Sequence, residues 1–247
     1  MAGEAANGHR GAGRTVGRAD VHIHTRYSDG RATVRQVLER AAADPLLDVI
    51  AITDHNTIAG ALEAASLAPS YGLDVIVGEE ITSRQGHILG LFLSQAVPAG
   101  LSGEETVAAV HAQGGLAVAA HPFVSRTDRI RGIGRVPMGA GPVVEEIAFD
   151  AIEVANSFPL FSPANRRARG LQEGGSLSAT GGSDAHVVEA VGKGYTEFPG
   201  RTAADLATAI RQGQTAGRRS RYGPGLVVAY GRYIAGSYVA RMRRSIK

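Results

Sequence analysis

Cysteine is missing from all 247 residues. That excludes disulfides and thiolate metal sites, so any bound metal must be held by His, Asp and Glu. It is also compatible with a reducing compartment, and a cytoplasmic location is expected. No uninterrupted apolar run is long enough to span a bilayer. The N-terminal MAGEAANGHRGAGRTVGR lacks the apolar core of a secretory signal. Its Gly, Ala and Arg content predicts a disordered arm over residues 1–18. Acidic residues are absent from 206–247, a stretch with nine basic ones, whereas residues 19–205 hold 14 Lys and Arg against 22 Asp and Glu. The net charge of +3 therefore conceals an acidic body with basic ends. Such a body disfavours a long polyanion, so nucleic acid is not the expected partner.

What is present is a regular alternation. Hydrophobic residues make up 44% of the chain, enough for one sizeable core. Asp20, His22 and His24 alternate with Val21 and Ile23, which predicts a strand with both histidines on one face. A helix over Thr33 to Ala43 follows, then the buried strand LLDVIAIT ending in Asp54 and His55. A helix capped by Thr57 leads to the strand LDVIVG, ending in Glu79 and Glu80. HILGLFL opens with His87, a helix capped by Ser102 runs to Gln113, and LAVAA ends at His121. Phe123 to Gly141 has no periodicity and reads as a long functional loop. AIEVAN, a basic helix near Pro163 to Glu173, LSATGGSDAH, GYTEF and a helix over Ala203 to Arg211 complete the body. Alternating β and α segments predict a parallel sheet covered by helices. In a parallel barrel the strand C-terminal ends share one face, which carries the site.

Six of the eight histidines, His22, His24, His55, His87, His121 and His186, begin or end strands in this scheme. His9 and His111 do not and read as structurally neutral. With Asp29, Glu80 and Asp184 they make nine nitrogen and oxygen donors, too many for one ion. Two to three divalent ions, Mn, Fe or Zn, sharing a carboxylate and a hydroxide fit the count. With three carboxylates and one hydroxide, three such ions retain roughly +2 of charge, which suits an anionic reacting group. A water held there loses its proton near neutrality and becomes a hydroxide nucleophile.

HIHTRYSDG, ITDHNT, GEEI, HILGLF, AAHP, IEVAN and GSDAH, in that order, resemble the PHP (polymerase and histidinol phosphatase) domain family over about residues 19–215. The resemblance implies an α/β fold, a distorted (β/α)7 barrel, and a trinuclear centre that hydrolyses phosphoesters. By motif, His22, His24, Glu80 and Asp184 hold the first ion. Glu80 bridges to a second, also bound by His87 and His121. Asp29, His55 and His186 hold the third. Some relatives carry histidine where Asp29 stands, and the SDG form looks like the nucleotide-phosphatase branch. An inserted domain is often found in that branch, and here only 123–141 offers room for one.

Around this set the expectations are less constrained. Asp54 could orient an imidazole or shuttle a proton as a catalytic residue. Glu79 is expected to be solvent-facing or structural, and Glu153 and Asn156 to face metal-bound water. Arg84, Arg126, Arg129, Arg131 and Arg135 could clamp a phosphate, with Lys193 a weaker candidate. Residues 216–247 form a basic C-terminal helical tail with Val227, Tyr230, Ile234 and Tyr238 on one stripe. The tail could touch a membrane surface, but packing on the barrel or on a partner subunit is the preferred reading. With no ligand in 226–247, the tail is expected to be dispensable for chemistry on small substrates. The expected function is hydrolysis of a small phosphorylated metabolite, with a nucleotide as one candidate, by metal-bound hydroxide attack on phosphorus. Alternatives are a nuclease acting on DNA or RNA ends, a C–N hydrolase of the same barrel type, and a non-catalytic metal-binding regulatory module.

Overall fold

The computed structural model describes residues 13–130 and 134–245. Its strands are β1 (Val16–Asp20), β2 (Val49–Ile52), β3 (Asp74–Thr82), β4 (His87–Leu91), β5 (Leu116–Ala119), β6 (Thr127–Ile130), β7 (Gly134–Pro137), β8 (Ala151–Asn156), β9 (Ser178–Gly182), β10 (Gly194–Pro199) and β11 (Ala216–Arg219). The helices are α1 (Val34–Ala42), α2 (Ala59–Leu67), α3 (Gly103–His111), α4 (Ser162–Gly174), α5 (Ala203–Arg211) and α6 (Pro224–Ser245). One sheet of order β11-β10-β1-β2-β3-β4-β5-β8-β9 curls into a nearly closed barrel. Thr196 of β10 closes the gap: its hydroxyl accepts from the Gly181 N–H of β9 at 2.9 Å and donates to the Gly181 carbonyl at 3.0 Å.

The barrel is distorted because two strands are reversed. β4 pairs antiparallel with both β3 and β5, and β10 antiparallel with both β1 and β11. A reversed strand brings its first residue to the rim where the others bring their last. That is how His87, at the start of β4, reaches the same end as Glu80 on β3.

Period-two patterning sorts the side chains. Ala19, Val49, Ile76, Leu89, Val118, Ala151 and Phe198 come from seven strands of the sheet and meet in one buried cluster, the barrel interior, with Leu206 and Ile210 of α5. Their alternating neighbours, such as Ile50, Ile52, Ile81, Ile88 and Ile152, face outward against helices. Capping boxes at Thr33/Gln36, Ser102/Glu105 and Thr202/Asp205 set the starts of α1, α3 and α5. α2 begins at Ala59 rather than at Thr57, and the Thr57 hydroxyl accepts from the Ala59 N–H at 3.2 Å.

Three expectations need correction here. The expected strand through His24 ends at Asp20; Val21 joins the interior cluster but Ile23 the outer one, so the chain changes face between them. Phe123 to Gly141 contains a hairpin, β6 with β7, rather than only loop. The sheet also includes Val16–Arg18 and β11, both beyond the expected 19–215 body. Residues 1–12 of the expected arm lie outside the described residues.

α6 packs against the barrel through Leu226 and Tyr230, both buried in the cluster that includes α1 and α2. Val227 and Ile234 of the expected stripe are exposed, and the Tyr238 side chain lies outside the described residues. Among the described residues no helix is long and apolar enough to cross a membrane. Because Tyr230 is 2% exposed, Tyr230→Ala is expected to cost about 3 kcal/mol of stability, read as a lower denaturant midpoint.

Candidate metal centre

The rim gathers all nine expected donors, and they are arranged around Glu80. Its carboxylate is buried, and its two oxygens face different imidazoles. Oε2 lies 3.3 Å from His22 Nε2, 3.1 Å from His24 Nε2 and 3.2 Å from His55 Nδ1. Oε1 lies 2.7 Å from His87 Nδ1 and 3.0 Å from His121 Nε2. Asp184 adds a second carboxylate, with Oδ1 3.2 Å from His24 Nε2, 3.7 Å from His22 Nε2 and 3.4 Å from His186 Nδ1. Asp29 places Oδ2 3.2 Å from His186 Nε2 and 3.8 Å from His55 Nε2, and Oδ1 3.7 Å from His24 Nδ1.

These donors fall into overlapping groups whose ligand atoms lie within 4.8 Å of one another: His24, Asp29, His55 and His186; His22, His121 and Asp184; His22, His24 and Glu80; His55, Glu80 and His87. Ring nitrogens of His22, His24, His55, His87 and His121 are buried without a hydrogen-bond partner among the described residues. An orphaned buried nitrogen is costly. Several of them turned toward shared carboxylates are what a divalent cation would satisfy, so the residues fit a metal cluster.

The protonation pattern agrees. Burial resists charge on His24, yet the Asp184 and Glu80 carboxylates outweigh it and push the imidazole up to about 10. Burial likewise opposes charge on His22 and His121, and nearby carboxylates again win, raising both. Burial favours the neutral form of Glu80, but His55, His87 and His22 hold the carboxyl well below its ordinary range. Asp184 is lowered against the same burial by His22, His24 and His186. His55 goes the other way, to about 4, with burial the dominant cause. The cluster thus recruits positive charge onto its imidazoles, and divalent ions would take the place of those protons.

Two family models match the chain: the PHP domain over residues 20–119 and a PHP-associated region over 162–215. An uncharacterized protein of Methanocaldococcus jannaschii is 36% identical over 152 residues, covering 57% of this chain and 82% of that protein. The chain belongs to the PHP domain family, a family of metal-dependent phosphoesterases. The 3',5'-nucleoside bisphosphate phosphatase of Chromobacterium violaceum is 39% identical over 93 residues, 36% of this chain and 32% of the phosphatase. Among solved structures, a two-domain protein of Bacteroides vulgatus containing a predicted PHP-like metal-dependent phosphoesterase superposes with a TM-score of 0.65 at 21% identity, over 83% of this chain and 65% of that one.

In this PHP domain a layer of hydrogen-bonded carboxylates holds the donors. Glu153 accepts from His22 Nδ1 at 3.1 Å, which leaves Nε2 facing the cluster, and from the His121 backbone N–H at 2.9 Å. Asn156 donates to Glu153 at 2.9 Å and to Asp184 at 3.1 Å. Asp20, which sequence reasoning passed over, accepts from the N–H groups of Ser183 and Gly192 at 2.8 Å each, anchoring the turn before Asp184. Burial raises its carboxyl to about 6. The only signal in the sequence was its place two residues before His22. His121 and Asp184 carry positive φ of 28° and 51°, a strained backbone that turns both side chains sharply at strand ends. Gly182 allows the close approach behind them, since a Cβ there would come within 2.4 Å of His22 Cβ.

Asp54 is not aimed at an imidazole. Its oxygens accept from Thr25 N–H at 2.7 Å, Thr25 Oγ1 at 2.6 Å and Ser28 Oγ at 2.6 Å. Asp54 thereby clasps the loop that carries Asp29. Glu79 is buried, not solvent-facing, with one oxygen accepting from Val97 N–H at 2.7 Å and the other without a hydrogen-bond partner among the described residues.

The metal-facing side opens into a cavity of about 670 Å³. Asp29, His55, Glu80, His121, Asp184 and His186 line its floor, while His22, His24 and His87 lie beneath. Of the five expected phosphate-clamping arginines, Arg126 lines the cavity. Arg84 lies elsewhere, donating to the Gly100 carbonyl at 2.9 Å, and Arg135 donates to Thr127 Oγ1 at 2.8 Å. Arg131 and the Arg129 side chain lie outside the described residues. Phe123, Phe158, Phe161 and Tyr233 supply an aromatic wall that sequence reasoning missed. Ile234 also lines it, so α6 contributes to the wall of the cavity.

Asp54→Ala should free the Asp29 loop and weaken metal uptake at that corner by about tenfold or more, measured by competition with a chelator. Glu79 offers a pH test. Burial raises its carboxyl from 4.5 to about 7, so the folded protein binds the proton more tightly than the unfolded chain. Its penalty is absent below pH 4.5 and full above pH 7. Glu79→Gln should raise the melting temperature at pH 8 and shift it little at pH 4.

Proposed function

We propose that the chain hydrolyses the phosphoester of a small phosphorylated metabolite at a cluster of two to three divalent ions. The observation that carries the reading is the Glu80 carboxylate, with His22, His24 and His55 at one oxygen and His87 and His121 at the other. Those two histidine sets would hold two ions with Glu80 shared between them, and Asp29, His55 and His186 would hold a third. Mn, Fe or Zn suit imidazole and carboxylate donors. When bound, such ions neutralise phosphoryl oxygens and bring the acidity of a water toward neutrality.

The chain's own residues do the rest. Glu153 and the Asp184 carbonyl hold ring N–H groups of His22 and His186, so that the opposite nitrogens face the cluster. The Asp54 clasp keeps Asp29 at the mouth. Arg126 is the cation at the cavity positioned to attract an anionic substrate. A closed floor and a cavity of about 670 Å³ suit a small phosphorylated molecule, a nucleotide included, better than a long strand, and the acidic body points the same way. The named activity of the C. violaceum relative, on a 3',5'-nucleoside bisphosphate, supports the phosphomonoester reading.

The test is a panel of phosphomonoesters, phosphodiesters and single-stranded oligonucleotides offered to Mn-loaded protein. Turnover of small esters is expected. Glu80→Gln preserves the volume but removes the negative charge of that side chain. It should reduce turnover by orders of magnitude and lower the metal content found by elemental analysis, with the fold retained. Stepwise degradation of the oligonucleotides in preference to every small ester would replace this reading with the nuclease one.

A further inference from the structure

The last helix crosses the mouth of the site, although residues 224–245 lie outside both family-model segments. Three contacts fix it there. The Tyr230 hydroxyl donates to the Asp184 carbonyl at 3.3 Å. Arg31 Nη2 donates to the carbonyls of Tyr233 at 3.1 Å and Arg232 at 3.3 Å, and the Arg31 guanidinium lies 5.2 Å from the Tyr233 ring centre. The Arg31 N–H, in turn, donates to the His186 carbonyl at 3.0 Å. One residue therefore ties the Asp29 loop, a metal-facing histidine and the helix together.

The consequence is an aromatic surface of mutually inclined rings beside the donors. The Tyr233 ring sits 5.1 Å from the His186 ring, and Phe158 packs 5.6 Å from His186 on another side. Past Tyr233, Ile234 is 46% exposed and Leu160 is 85% exposed, and both line the same cavity. Leu160 is held at φ 76°, a left-handed conformation that a branched side chain adopts only under constraint. Large apolar side chains left in water around a cavity mouth indicate a ligand surface. The wall offers aromatic faces and aliphatic edges, and its charged neighbour, Arg31, is already engaged.

We propose that α6 is the leaving-group wall of this site, with Tyr233 the residue that makes a flat, unsaturated ring the preferred organic part of the substrate. The proposal rests on the phosphoesterase reading, which puts the phosphoryl group over the metal-facing floor. The ester oxygen and its substituent then project toward the mouth, where Tyr233 and Phe158 take the ring by offset or edge-on stacking while Ile234 and Leu160 cover its rim. Stacking of this kind adds a preference of roughly three- to tenfold over burial alone.

Binding of phenylphosphonate and methylphosphonate to the Mn-loaded full-length protein, measured by calorimetry, tests this without turnover. Wild type should prefer the phenyl compound, and Y233A should lose about three- to tenfold of that preference, with metal content and melting temperature as checks on folding. Y233F should restore it. If Y233A is unfolded, Y233L, which keeps the bulk and removes the ring, carries the same comparison. A phenyl-to-methyl ratio equal in wild type and the folded ring-less variant overturns the proposal while leaving the phosphoesterase reading intact. A wild type that binds neither phosphonate overturns that reading, and this proposal with it.

Discussion

A single buried carboxylate with five imidazoles around it is the constraint on which the rest of the molecule depends. Glu80 is 1% exposed. An isolated anion at such depth would be protonated or would destabilise the fold by several kcal/mol. Here it stays ionised because His22, His24 and His55 stand at one oxygen and His87 and His121 at the other. Among those imidazoles, His22, His24 and His121 are resisted in their charged form by burial and are nevertheless raised by nearby carboxylates, Glu80 and Asp184 among them. Neither set is stable without the other, and a shared cation relieves both.

The barrel is the means of bringing these groups together. β2 and β3 run parallel and carry His55 and Glu80 to one rim, where the two residues form a bridge between their backbones. Reversal of β4 delivers His87 from a strand's beginning instead of its end. Beneath the rim lies a cluster of apolar side chains, from Leu89 and Val118 to Phe198. The polar layer is thus confined to one end, and the low dielectric below it strengthens each interaction in the cluster.

Around the donors, three carboxylates hold the surrounding backbone and rings through hydrogen bonds. Asp20 anchors the turn before Asp184, Asp54 clasps the Asp29 loop, and Glu153 orients His22 while steadying the strained backbone at His121. All three are buried and satisfied by N–H, O–H or imidazole donors. Rigid positioning of this kind matters because donor atoms must lie within tenths of an ångström of where an ion needs them. The aromatic wall from the 158–161 loop and α6 then separates the polar floor from solvent.

How much of this was legible in the chain depends on the range of the interaction. Most of the donors could be read because they stand at or just beyond an end of an apolar strand run, where a barrel presents its rim. Helix starts at Thr33, Ser102 and Thr202 were written in local capping boxes, and the motif order alone pointed to the PHP domain. The reversed direction of β4 and β10, the pairing of β11 and the hairpin inside 123–141 were not legible, since periodicity reports which face is buried and not which way a neighbour runs. From its place beside His55, Asp54 was expected to orient an imidazole or shuttle a proton, and only folding shows that Thr25 and Ser28 donate to its oxygens. Arg84 and Arg135 looked like phosphate clamps from their charge and their place in turns and loops, and they bond to the Gly100 carbonyl and the Thr127 hydroxyl. The sequence by itself determined the donor set and the alternation of the sheet, because both follow from local order along the chain. The tertiary structure decided which carboxylates face the cluster, which merely hold it, and that the C-terminal helix closes one side of the cavity, because those depend on contacts such as Tyr230 with Asp184 and Arg31 with Tyr233 between residues far apart in the chain.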